Sequence, residues 1–279
     1  MGFPSVSVEQ LLRRDRRVVV VTLVLVAALA WVYTLLGVGM DMNAFEMTRA
    51  PSAMTATEDS AMASGVDAAM SMVAAQWSAG YAGVMLVMWW LMMVAMMLPS
   101  ATPTILLAAA LNRRSRANRP PYGATSVFVS GYLLAWLFFS IAAVAAQWSL
   151  ESAGVLSNMM HSTSSILTGG LLIAAGLWQL TPIKQACLRH CRSPVEYLTR
   201  YRRPGNVGAL VMGLGHGTYC LGCCWFLMAL LFAGGVMNLI WIVGLALFVL
   251  AEKVLARGVW FGRIAGVGLT VAGAAVISL

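Results

Sequence analysis

Charge is what this sequence has least of. Only 10% of its residues are Asp, Glu, Lys or Arg, while 60% are hydrophobic. A soluble domain carries roughly 25% charge, so an ordinary water-soluble globule is excluded. No glycine-rich nucleotide loop and no P-loop is present, which excludes ATP-driven work by the chain alone. There is no HExxH motif, and three histidines are too few for a two-haem membrane oxidase. The net charge of +8 is no nucleic-acid signature, because the arginines lie in short patches between apolar runs.

Those apolar runs approach the ~20 residues that cross a bilayer. They fall at 18–38, 79–98, 123–147, 164–183, 206–231, 235–255 and 261–278, and predict an all-α, polytopic transmembrane bundle of about seven spans. Arg13, Arg14, Arg16 and Arg17 precede the first run as they would in a signal peptide. Its core is long and no small-x-small cleavage site follows, so it reads as an uncleaved span with the N-terminus inside. That layout makes 1–17 a cytoplasmic tail, 18–38 the first helix, 39–78 an external loop and 79–279 a six-helix membrane domain. Segments 112–122, 184–205 and 256–260 then also face the cytoplasm and gather nearly all lysines and arginines, leaving Arg49 outside. The asymmetry fits positive-inside insertion and puts the C-terminus outside. Pro99 and Pro103 interrupt the second run; the reading favoured is one kinked helix that continues to Arg113, since neighbours in a membrane bundle satisfy the freed carbonyls.

What the sequence has in excess is soft sulfur. His216, Cys220, Cys223 and Cys224 lie in the fifth span, with His216 and Cys220 four apart and Cys220 and Cys223 three apart, on one helical face. Thiolate and imidazole at this spacing suit Cu(I), or less well zinc. Gly213, Gly215, Gly217 and Gly222 let a neighbour approach that face. Cysteine is also a good small hydrophobe in a bundle, so packing remains an alternative.

In the second span Met85, Met88, Met92 and Met96 share a face, with Trp89, Met93 and Met97 beside it. This is a thioether ladder for Cu(I), or an ordinary gap-filling stripe. A third cluster, Lys184, Cys187, His190 and Cys191, reads as a cytoplasmic metal site, a thiol pair or a basic juxtamembrane loop. Met159, Met160 and His161 form a small external group, and the 39–78 loop carries seven methionines from Met40 to Met72. Glu252 and Lys253 end the sixth span; Lys253 is expected to snorkel to the interface, and Glu252 to pair with Lys184 or Arg257. Asn238 is expected to cap the helix that follows it.

Several of these pieces occur together in a known order. Trp89, Met92, Met93, Ala95 to Ser100, then Lys184, Cys187, Cys191, Arg192 and Pro194, then Gly217, Cys220, Gly222 to Trp225 and Met228, then Gly235, Met237 to Leu239, and Glu252–Lys253 resemble the predicted metal-binding integral membrane proteins of bacteria, a domain-of-unknown-function family. The resemblance covers about 80–255, leaves the 39–78 loop outside, and implies a multi-pass bacterial inner-membrane location and a link to copper.

The leading expectation is a non-enzymatic membrane protein that binds Cu(I) and moves it, or presents it to a membrane metalloenzyme or a periplasmic copper protein. The alternative is an accessory subunit of a membrane enzyme complex, with its Met, Trp and Gly faces packed on partners. A thiol oxidoreductase is a third reading, disfavoured because adjacent Cys223 and Cys224 make a strained bridge. Lipid is the expected surroundings, with no nucleic-acid or nucleotide partner.

Overall fold

A computed structural model describes residues 8–37, 48, 77–115, 122–156, 162, 164–255 and 258–279. The expected ligands Met159, Met160 and His161, and the methionines of the 39–78 loop, lie outside the described residues. Among those described, the chain is helical apart from one isolated bridge between Leu156 and Ser162. The helices are α1 (Val8–Leu36), α2 (Ala79–Ser115), α3 (Tyr122–Ser152), α4 (Ser165–Leu180), α5 (Pro182–Arg192), α6 (Pro194–Arg200), α7 (Gly205–Ala229), α8 (Leu231–Gly234), α9 (Leu239–Val254) and α10 (Gly258–Ser278).

Five stretches are long and apolar enough to cross a membrane: 16–36, 79–112, 124–152, 205–234 and 258–278. A sixth arises if α4 and α5, bent by 66° at their junction, count as one broken span. The remaining expected span corresponds to α9, which at 16 residues falls short of a full crossing. The chain is thus an all-α, multi-pass membrane protein.

Local sequence explains the breaks. The hydroxyl of Thr181 accepts from Lys184 N at 3.2 Å and Pro182 stands at the first position of α5, so one helix stops and another starts within a single residue. Asn238 caps α9 as expected, accepting from Ile240 N at 3.0 Å, and Thr48 Oγ1 accepts from the adjacent Leu239 N at 2.9 Å. By contrast α2 continues as one helix through Pro99 and Pro103. Nearby carbonyls are occupied by hydroxyls: Ser100 Oγ and Tyr132 Oη donate to Met97 O at 2.8 and 3.2 Å, and Thr102 Oγ1 donates to Leu98 O at 3.1 Å.

The most extensive helix contacts are α3 with α7, α4 with α10 and α1 with α2. The α4–α10 crossing is built on reciprocal glycines. A Cβ on Gly176 would lie 2.6 Å from Gly266 O, and one on Gly273 would lie 2.6 Å from Gly169 O. This is the close backbone approach that small residues allow between membrane helices. The α3–α7 crossing works the same way, with Gly213 on Phe128 O and Gly131 on Leu210 O. Leu29, Ile166, Ile264 and Val271 point outward from the bundle, as lipid-facing residues should. Trp89, Trp136, Tyr132 and the α2 methionines fill its interior.

Candidate metal centre

Met85, Met88, Met92, Met93, Met96 and Met97 are all buried, none more than 2% exposed. At ~1.5 Å per residue they line roughly 18 Å of α2. The polar groups at the α2 start and the α3 end form one chain of hydrogen bonds beside the first of them. Trp77 Nε1 donates to Glu151 Oε2 at 2.7 Å, Gln147 Nε2 donates to Glu151 Oε1 at 2.9 Å and to Met85 Sδ at 3.7 Å, and Trp89 Nε1 donates to Gln147 Oε1 at 2.8 Å. Buried indole and amide groups thereby find partners without water.

At the other end the ladder meets the thiols. Cys224 Sγ approaches Met97 Sδ at 4.0 Å. Met97, beside the Met88–Met92–Met96 face, is thus the thioether that the structure links to a thiol, while Met88, Met92 and Met96 are buried along α2. Helical phase alone could not identify it, because both faces of α2 are enclosed.

Four cysteines border this part of the core. Cys220, Cys223 and Cys224 are buried on α7, and Cys191 reaches them from α5, interacting with Cys220 and Cys223. The sequence presented Cys187 and Cys191 as a separate cytoplasmic cluster. The bend at Thr181 instead lays α5 against α7, so the two cysteine groups are one. Cys187 packs on the bare face of Gly222, where an added Cβ would lie 2.8 Å from its sulfur. The glycines expected to admit neighbours do so: Gly213 meets Phe128, Gly217 meets Ala135 and Tyr132, Gly215 meets the Tyr197 hydroxyl, and Gly222 meets Cys187.

The thiols are not equivalent. Cys223 Sγ and Cys224 Sγ donate to the carbonyl of Cys220 at 3.0 and 3.1 Å. Cys220 Sγ has side-chain neighbours: Tyr132 Oη at 3.3 Å and the donating ammonium Lys253 Nζ at 3.1 Å. Lys253 also donates to Ser100 Oγ at 2.9 Å. This corrects the expectation that Lys253 snorkels to the interface: it is buried and turned toward the thiols. Its neighbour Glu252 turns the other way and pairs with Lys184, whose Nζ donates to Oε1 and Oε2 at 2.5 and 2.8 Å, all buried.

The two histidines have different fates. His216 is 2% exposed, ringed by Phe128, Tyr132 and Tyr197, and its Nδ1 lacks a hydrogen-bond partner. Tyr132 therefore touches both His216 and Cys220, one turn apart. His190 is taken up elsewhere, stacked on Tyr219 at 4.1 Å with Nδ1 against Ala186 O at 2.9 Å. Outside the membrane spans, burial first and neighbouring tyrosines second raise the Tyr197 hydroxyl above its ordinary pKa. It stays protonated and donates to Met212 O at 2.7 Å, holding α6 on α7.

Among the described residues no group of three or more His, Cys, Asp or Glu side chains is arranged to hold a metal ion. A closed four-ligand zinc site of the structural kind does not fit that arrangement. A thiol pair with thioether and imidazole nearby is instead the donor chemistry of a soft, low-coordinate ion. Sequence reasoning passed over Tyr132, Gln147 and Glu151 as site neighbours, since a lone polar side chain in or beside a span carries no signal until its partner helix is known.

Comparison with curated proteins and with solved structures gives no match. A family model described as copper chaperone, PpoB2, matches residues 86–276, more than half of the chain, including Met88 to Met97 and all the cysteines just described. That membership, with the membrane-length helices, makes the chain a multi-pass inner-membrane protein that handles copper for delivery, a chaperone's task and not a catalyst's. The chain belongs to the PpoB2 copper chaperone family.

Proposed function

We propose that the protein takes up Cu(I) at the outer end of α2, passes it down the buried methionines, and holds it on the thiols of α5 and α7 for delivery. The contact of Met97 with Cys224 carries this reading, because it joins two sulfur sets into one continuous path. The Glu151–Gln147–Met85 chain stands at the receiving end. Met88, Met92 and Met96 are the intermediate thioethers, and Cys220, Cys191, Cys223 and Cys224 the holding thiols. The unpartnered His216 Nδ1 supplies a further donor in the same wall of the core. Cys187 and His190 flank the centre on α5. Each step is a ligand exchange between soft groups, fast only if no single site binds too tightly.

The topology that goes with this role is seven spans with α9 as a short one, the N-terminus inside and the C-terminus outside. The 39–78 loop then faces out, where its methionines gather the ion. The recipient is a membrane metalloenzyme or a periplasmic copper protein.

The test is elemental analysis of detergent-purified protein expressed with copper, beside a Cys191→Ser/Cys220→Ser variant of unchanged helicity. Near-stoichiometric copper, lost in the variant, is expected. Copper absent from the wild type after chelator-free purification would sink the proposal.

A further inference from the structure

The thiol centre contains a buried positive charge that neither copper handling nor packing requires. Lys253 Nζ stands 3.1 Å from Cys220 Sγ and 2.9 Å from Ser100 Oγ. The adjacent Glu252 makes its ion pair with Lys184 and not with Lys253. A buried ammonium needs a counter-charge, and the sulfur of Cys220 is the group placed to supply it.

Of the α7 thiols, Cys220 is the one with the ammonium beside it, while Cys223 Sγ and Cys224 Sγ donate to its carbonyl. A two-coordinate site made of Cys220 and one further thiolate, with one ammonium and one monovalent cation, sums to zero. With a divalent cation the same set carries an uncompensated positive charge away from water, which is costly.

We propose that Lys253 is a charge filter that makes this centre accept soft monovalent cations and reject soft divalent ones. The inference rests on the thiol centre proposed above and adds its selectivity. Softness alone does not separate Cu(I) from Zn(II) or Ag(I) from Cd(II), since each pair has the same electron count and binds thiolate. Charge does separate them. An ion bonded to Cys220 would lie about 4 Å from the ammonium; at an effective dielectric of about 20, one extra unit of charge there weighs roughly 1000-fold in an equilibrium constant.

The experiment uses full-length protein in detergent, wild type and Lys253→Met, titrated with Ag(I) and separately with Cd(II). Equilibrium dialysis and ultraviolet thiolate-to-metal absorption report binding. The wild type should bind Ag(I) far more tightly than Cd(II). Lys253→Met should keep Ag(I) and shift the Ag(I)-to-Cd(II) preference toward Cd(II) by roughly 100- to 1000-fold. Lys253→Arg, which keeps the charge, should restore the exclusion.

An unchanged preference in Lys253→Met overturns the filter and leaves the thiol centre standing. So does a wild type that binds Cd(II) as tightly as Ag(I), a result that needs no variant to fold. A wild type that binds neither Ag(I) nor Cu(I) overturns the centre itself, and the filter with it.

Discussion

The ion pair between Lys184 on α5 and Glu252 on α9 offers the sharpest test of how this bundle is held. Both residues are 2% exposed, and the ammonium reaches both carboxylate oxygens, at 2.5 and 2.8 Å. Removing one partner strands the other charge in a medium that cannot solvate it. Lys184→Met or Glu252→Leu alone should therefore cost about 3–5 kcal/mol. Replacing both at once removes the stranded charge, and buried pairs exchanged for apolar residues are often neutral or better by about 1–4 kcal/mol. The double variant should thus recover most of the loss, an interaction of about 3 kcal/mol or more in a double-mutant cycle. The assay is reversible unfolding in mixed micelles by SDS titration, followed by tryptophan fluorescence. A loss below about 1 kcal/mol in either single variant is the range of a surface pair. That result would show the pair to be hydrated and refute the reasoning. Gly262 bears on the outcome, since a Cβ there would press on Glu252 Oε1 and lie 3.8 Å from Lys184 Nζ.

Two further outcomes are expected. Gly176→Val should force α4 from α10 and cost about 1–3 kcal/mol in the same titration, because its Cβ would lie 2.6 Å from Gly266 O; an unchanged midpoint would contradict the close crossing. Met97→Leu keeps volume and fold, a swap that costs under about 1.5 kcal/mol. It should slow arrival of Cu(I) at the thiols in stopped-flow by at least about tenfold, or about 1.4 kcal/mol on the barrier. An unchanged rate would mean the ladder is packing.

The elements declared themselves in the sequence where local chemistry decides. Apolar length gave the long helices, and Asn238 gave a cap that the structure contains. Gly213 and Gly217 were expected to admit a neighbour on the α7 face, and they meet Phe128 and Tyr132 of α3 there. The candidate site was legible only as fragments. Cys191 looked separate from the α7 thiols because Pro182, Lys184 and Arg192 read as juxtamembrane, and nothing local encodes a 66° turn that lays the segment back on α7. Lys253 looked like a snorkelling residue because its partners Ser100 and Cys220 are 153 and 33 residues away. Long-range pairing of polar groups is the part of a membrane fold that periodicity does not carry.

The opposite orientations of Glu252 and Lys253 bear on how the protein is assembled. They occupy the last turn of α9, where an inserted but undocked helix keeps both charges at the wet boundary of the bilayer. Docking strips that water, and it is offset only if Lys184 on α5 and Ser100 and Cys220 on α2 and α7 are already in position. On the seven-span topology proposed above, α9 is then the piece that gains most from docking last, onto a bundle whose thiol-bearing wall is already in place.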